Sequence, residues 1–387
     1  MKSTIAVAAA LSLLVAPAFA EQSVKIGFVT TLSGPAGVIG KHMKDASTLA
    51  LEMLGGKIGG LPATIVYGDD QFKPDVGRQI SEEMLQRDKV DFMTGFIWSN
   101  VLLASYQPII RSGVILIGAN AGPHELAGAM CAPNYFSASW QNDQTPEAMG
   151  KFMNDQKMND VYLIAPDYAA GKDMVNGFKR YFKGKVAAEV YTKPGQSDYQ
   201  VEISQIRQAA PKALFIFLPG GMGIQFVKQY AQSGLRDQIP LYSAFTVDET
   251  TLPAIGDAAA GNYEVSFWSP DLDNPRNRQF VAAFRAKYHY MPSYYAAQSF
   301  DAINMIDAAV TAVKGNLADK QGMIAAIDKA DFPSVRGAFK YGPNHFPIEN
   351  FYLLKIVKDA DGEYVRKIQS TIFADHADAY ASECKMK

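Results

Sequence analysis

Val24-Lys25-Ile26-Gly27-Phe28-Val29, then the turn Ser33-Gly34-Pro35, then Met43, Ala46, Leu49, Ala50, Met53 and Leu54 on one helical stripe: this stretch decides the fold class. A β-rich run stops at a turn, and the apolar period then changes to that of a helix until Gly55-Gly56 ends it. The alternation recurs. Ala63–Tyr67, Val90–Gly95 and Val114–Gly118 read as strands, with helices over 74–87, where Pro74 suits a first turn, and over 99–110. A second series begins with strands at Val161–Ala165, Val186–Tyr191 and Ala213–Leu218. Short apolar strands alternating with helices mean parallel sheets covered on both faces. Two such series predict an α/β protein of two Rossmann-like lobes with parallel central sheets. Helices at 276–288 and 294–313 follow, and two strands, Phe351–Val357 and Tyr364–Ile372, come last. A chain that crosses between lobes more than once would put those helices on the first lobe and those strands on the second. The pattern permits such crossings without requiring them.

Composition narrows the function classes. The 387 residues are 48% hydrophobic and 11% aromatic, too apolar for a disordered chain and too long for a single core. With 37 Lys+Arg against 39 Asp+Glu there is no basic surplus for nucleic acid. Lys2, the apolar run Ile5 to Val15 and Ala18-Phe19-Ala20 have the form of a signal peptide cleaved after Ala20. That run is too short to span a bilayer, and no cysteine follows it to carry a lipid. An exported, soluble protein is expected. Its two cysteines, Cys131 and Cys384, are expected to be joined in an oxidising compartment, pinning the C-terminal tail.

Catalytic patterns are missing. The sequence holds no nucleophile elbow, zinc-protease helix, P-loop or dinucleotide fingerprint, and its five histidines are scattered. Glu82-Glu83 reads as a solvated helix face, and Asp69-Asp70 follows a strand end without a nucleophile or base beside it. No cofactor or metal is expected.

Four strand-end loops are more telling, because ligands of open α/β sheets bind beyond the carboxyl ends of strands, near helix N-termini. They are Ser33 to Gly40, Phe96 to Asn100, Ala119 to Gly122, and Pro219-Gly220-Gly221-Met222-Gly223, the last opening a helix. Ser99 either caps its helix or holds a ligand carboxylate with the N–H groups beside it.

Ser33-Gly34-Pro35 with Gly40, the strand leading to Ser99, Ile115-Leu116-Ile117 with Glu125-Leu126, Asp167-Tyr168 with Gly171, Gly256 to Gly261 and Ser299-Phe300-Asp301-Ala302 occur here in order and at characteristic spacing. In this the chain resembles the leucine/isoleucine/valine-binding protein family, periplasmic solute-binding proteins of ABC importers with the type I periplasmic binding fold. The resemblance implies a three-crossover hinge and a ligand enclosed between lobes. It puts 21–141 and 272–344 in the first lobe, and 142–271 and 345–387 in the second. Carried over by position, the ligand serine falls on Ser99. Further contacts fall on Asn120, Ala121 and Gly122, the second-lobe tyrosine on Tyr168, and the side-chain pocket on Val38 and Ile39.

Two departures change the expected ligand. The family's amino-acid binders have a threonine near Gly122 and, near Phe245, a glutamate facing the ligand ammonium. Here no acid takes that place, although Asp248 follows closely. A buried ammonium without a carboxylate is costly. Aromatic residues stand on or beside the cleft loops instead: Phe96, Trp98, Tyr168, Phe245 and Tyr294 or Tyr295. The expectation is a monomeric periplasmic binding protein, not an enzyme, that passes a small organic acid, an aromatic carboxylate, to an ABC permease in the inner membrane. Its carboxylate would meet Ser99 and the N–H groups near Asn120 to Gly122, with Trp98, Tyr168 and Phe245 around its ring and Gly220 and Gly221 across the cleft. A branched-chain amino-acid or amide binder of the same family, and a ligand-sensing domain, are the alternatives.

Overall fold

The computed structural model describes residues 22–386, so the signal peptide lies outside the described residues. The first sheet is built from β1 (Val24–Thr30), β2 (Lys57–Ile58), β3 (Leu61–Asp69), β4 (Phe92–Gly95), β5 (Ile115–Gly118) and β6 (Tyr135–Ser137). Its order is β2-β3-β1-β4-β5-β6, parallel except for β2. Ile26 of β1 stands opposite Ile65 of β3 and Phe92 of β4, one apolar row across the sheet. The helices α1 (Gly37–Met53), α2 (Pro74–Glu83), α3 (Ser99–Ser112) and α4 (His124–Ala127) connect these strands. The stretch read as one helix over 74–87 is α2 followed by a π turn, which Lys89 closes at φ 52°.

The second sheet holds β7 (Val161–Pro166), β8 (Val186–Thr192), β9 (Ala213–Ile216), β10 (Leu241–Ala244), β11 (Tyr263–Ser266), β12 (Glu349–Lys358) and β13 (Tyr364–His376). It is ordered β13-β12-β11-β10-β9-β7-β8, parallel except that β12 runs antiparallel to both of its neighbours, β11 and β13. Its helices are α5 (Gln144–Asp155), α6 (Ala169–Tyr181), α7 (Gln200–Ala209), α8 (Gly221–Gln232) and α9 (Leu252–Ile255). The chain then returns to the first lobe for α10 (Pro275–Tyr288), α11 (Tyr294–Ala312) and α12 (Lys320–Asp328). Asn274 and Ser293 cap α10 and α11 by accepting from Asn277 N and Ala296 N. Tyr294 through Ile306 of α11 is buried on every face, because this helix lies against α1 and reaches the hinge.

Three segments therefore cross between the lobes, and one side chain ties them together. Arg336, on the third crossing, donates to the carbonyls of Ala138 and Ser139 on the first and lies 5.4 Å from the Phe267 ring on the second. It also pairs with Glu349 at 2.9 Å. Removing one partner of such a buried pair costs about 3–5 kcal/mol, so the hinge is held by charge as well as by packing. Cys131 and Cys384 form a disulfide that fastens the tail to the first lobe. Closing a 253-residue separation contributes roughly 5 kcal/mol in the chain-entropy model. Among the described residues no helix is long and apolar enough to cross a membrane.

Candidate functional site

The carboxyl ends of β4, β5, β7, β9 and β10 converge on one cavity between the lobes. The first lobe contributes Ile97, Trp98, Ser99, Asn120 and Ala121, and the second Tyr168, Ala170, Met174, Phe217, Pro219 and Phe245. Trp140 and Asn142 enter from the first crossing and Tyr295 from α11. The non-atom space between the lobes here is at most about 290 Å³, part of it open to solvent, so the site is a narrow one.

Ser99 is the polar centre. The helix boundary falls at Trp98, whose backbone is extended, so Ser99 is the first helical residue of α3 and makes no capping bond. This removes the capping reading. The Ser99 hydroxyl oxygen instead accepts from Asn142 Nδ2 at 3.0 Å. With that lone pair occupied, the hydroxyl hydrogen is free to donate into the cavity, as are the first-turn N–H groups of α3. The Trp140 indole N–H is also buried without a partner. These groups are donors, and what they require is an acceptor.

Neighbouring groups supply fewer donors than the sequence suggested. The Ala121 N–H is spent on the Phe96 carbonyl, at 3.0 Å, and the Gly122 N–H on Asn142 Oδ1, at 3.2 Å. Gly122 itself stays outside the cavity. A Cβ there would lie 2.0 Å from the Trp140 carbonyl, so glycine is required by a close backbone approach and threonine has no room. The Asn120 side chain faces the cavity but is held by Ile97 O and Gln298 Nε2.

Aromatic rings make up the rest of the wall. Trp140 stacks on Phe245 at 4.4 Å, Phe217 meets Phe245 edge-on at 6.1 Å, and Tyr168 meets Trp98 edge-on at 6.1 Å. Trp98 is fixed from behind. Its indole N–H donates to Thr31 at 2.7 Å, Thr31 donates to Asp70, and Phe72 stacks on it at 3.9 Å. Asp70, just after the end of β3, is thus a buried brace, with burial pushing its pKa up to about 6. Burial raises the Tyr168 and Tyr295 hydroxyls too, so both keep their protons.

Among the described residues no Asp, Glu, Lys, Arg or His lines the cavity. Asp248 does not substitute for the missing acid. One carboxylate oxygen accepts from the Tyr294 hydroxyl, the other from the N–H and hydroxyl of Thr250.

Of the eleven residues singled out from sequence, Trp98, Ser99, Asn120, Ala121, Tyr168 and Phe245 meet in the cavity. Val38, Ile39, Gly122, Gly220 and Gly221 do not. Ile39 faces Gly220, and Pro35 faces Gly221, where the N-termini of α1 and α8 touch across the cleft. Val38 lines a wider outer groove with Lys41 and Ile224. Phe96 points into the core. Trp140, Asn142, Phe217 and Met174 are additions of the structure. Phe217 and Pro219 border the glycine loop that was recognised, while the crossing at 138–143 has no strand or helix pattern to betray it.

The periplasmic binding protein family model matches residues 23–362. The chain is 26% identical over 378 residues to Leu/Ile/Val-binding protein homolog 6 of Brucella melitensis, covering 95% of this chain and 96% of that protein. Its fold matches that of an R. palustris ABC-transporter solute-binding protein in complex with benzoate. The TM-score is 0.89 at 32% identity, over 94% of this chain and 100% of the other. A second solute-binding protein, from Rhodopseudomonas palustris BisB5 in complex with 3,4-dihydroxybenzoic acid, matches with TM-score 0.87 at 26% identity, over 92% and 99%.

Proposed function

This chain belongs to the periplasmic binding protein family as a solute-binding protein of an ABC transporter, and from that premise we propose that its ligand is a small aromatic carboxylate. The observation that carries this reading is a cavity of donors and rings with no acid or base. The carboxylate accepts from the Ser99 hydroxyl and the α3 N–H groups, in a helix-terminus site that favours negative charge. The ring lies among Trp98, Tyr168, Phe217, Phe245 and Trp140. A zwitterionic amino acid would leave its ammonium buried without a partner. The benzoate and dihydroxybenzoate complexes of the two structural relatives support the same class.

In this reading residues 21–141 with 272–344 and 142–271 with 345–387 move as two bodies, closing on the ligand and presenting it to an inner-membrane permease. The protein acts in the periplasm as a monomer. A thermal-shift comparison tests the ligand class, because ligand bound to the native state alone raises Tm with concentration. Benzoate at millimolar concentration should raise Tm by several degrees and leucine should not. A rise with leucine and none with benzoate overturns the reading.

A further inference from the structure

Two hydrogen bonds behind Ser99 stands a side chain that never touches the cavity. Asn142 Nδ2 donates both to Ser99 and, at 2.9 Å, to Asp173 Oδ2. Asn142 cannot turn away, since its Oδ1 accepts from Gly122 N and its own N–H donates to Gly122 O. Asp173 belongs to α6 of the second lobe and is buried. Its other oxygen, Oδ1, lies 2.7 Å from Nδ1 of His124, which opens α4 of the first lobe. The His124 backbone N–H points at Asp173 as well, at 3.3 Å. An ion pair thus spans the closed cleft, and its acid also orients the ligand serine through one amide.

We propose that His124 and Asp173 form an interlobe latch that positions Ser99 and couples ligand capture to the protonation of His124. The inference rests on the carboxylate reading of the cavity. Asp173 is a buried acid joined to the Ser99 hydroxyl through the Asn142 amide, and unpaired it would repel a ligand carboxylate. The His124 imidazolium cancels that charge only when the lobes are together. Other charges around His124 are Glu125 on its own helix at 3.5 Å, Asp143 beside α5, which Arg180 of α6 pairs, and Glu383 of the tail near Gly128. The Tyr380 ring covers one side of the imidazole at 5.3 Å.

The direction of the coupling follows from linkage. The hydrogen bond to Asp173, against a smaller opposing effect of burial, pushes His124 up to about 9 in the closed form. Opening separates the pair and returns His124 toward its ordinary value near 6.5. Below pH ~6.5 the histidine is charged in both forms and the latch contributes fully. Between ~6.5 and 9 closing takes up a proton, so affinity falls as pH rises, and above 9 the contribution is gone. Because the side chain of His124 is partly exposed, water screens part of the effect.

Calorimetric titration with benzoate, which stays ionised across this range, tests the latch. From pH 6 to pH 9 the Kd of the native protein should rise by ~10-fold. His124→Gln keeps a hydrogen-bond donor without the charge. It should bind ~10-fold more weakly at pH 6 and change less than ~2-fold with pH. Asp173→Asn should be similarly flat. A native Kd that is constant from pH 6 to 9, or a pH dependence that survives in His124→Gln, overturns the latch while leaving the ligand class intact. Should benzoate bind at no pH, the ligand class fails and the latch is judged without ligand, by small-angle scattering. Its radius of gyration must then grow from pH 6 to pH 9.5 in the native protein and not in His124→Gln. Equal radii overturn it.

Discussion

The two walls of the cavity are built on the same plan and do different work. Each comes from loops after parallel strands, and in each a phenylalanine follows a strand with a left-handed backbone, Phe96 at φ 61° after β4 and Phe245 at φ 53° after β10. Bulky residues rarely hold that conformation, which costs on the order of 1–3 kcal/mol. In the first lobe the strained ring turns into the core and its carbonyl takes the Ala121 N–H. The chain then runs on to present Trp98 and the Ser99 hydroxyl. In the second lobe the strained ring itself faces the cavity, beside Phe217 and Tyr168. The first wall therefore presents hydrogen-bond donors, and the second presents apolar rings. A ligand with one charged end and one flat apolar end satisfies both.

The asymmetry can be broken most strongly from the apolar side. Phe245→Glu puts a carboxylate where a ring should lie and no cation waits for it. Benzoate binding should weaken by ~100-fold or more in calorimetry, since an unpaired buried charge costs several kcal/mol. A native-like Kd in that variant would show that Phe245 is not part of the wall. On the polar side, Ser99→Ala deletes a hydrogen bond to a charged group and should cost about 1–3 kcal/mol of benzoate affinity. The neutral analogue benzaldehyde, already weak, should lose much less, and equal losses would mean that Ser99 does not meet the charge. The smallest change sharpens the contrast. Phe217→Leu keeps apolar bulk but removes a ring, so aromatic acids should lose about 0.5–1.5 kcal/mol while a cyclohexane carboxylate loses little. Identical losses for the two acids would make the wall merely greasy rather than aromatic.

The same asymmetry governs how much could be read from sequence. The first wall was legible because its residues are consecutive, Trp98-Ser99 and Asn120-Ala121, at sharp strand-to-helix transitions after β4 and β5. The strand–helix alternation that starts at Val24 to Leu54 also indicated two α/β lobes, whereas the late helices only permitted a return to the first lobe. The second wall was only half visible. Strands β10 and β11 are four residues each, fully or nearly buried, and carry no period that separates them from loop. Phe217 was absorbed into a strand that ends at Ile216. Gly220 and Gly221 drew attention as a helix start, yet their role is to let α8 approach Pro35 and Ile39. Trp140 and Asn142 lie on a crossing whose conformation is set by Arg336 and Gly122, contacts far away in sequence that no local pattern encodes.

The central claim is that both walls grip one ligand at once, and small-angle X-ray scattering at pH 9.5, where the unliganded lobes part, with and without saturating benzoate tests it most directly. Ligand contacts shared between lobes favour the closed form, so benzoate should lower the radius of gyration and leucine should leave it unchanged. An unchanged radius with benzoate bound at saturation, in a protein whose unliganded form is open, would contradict the account.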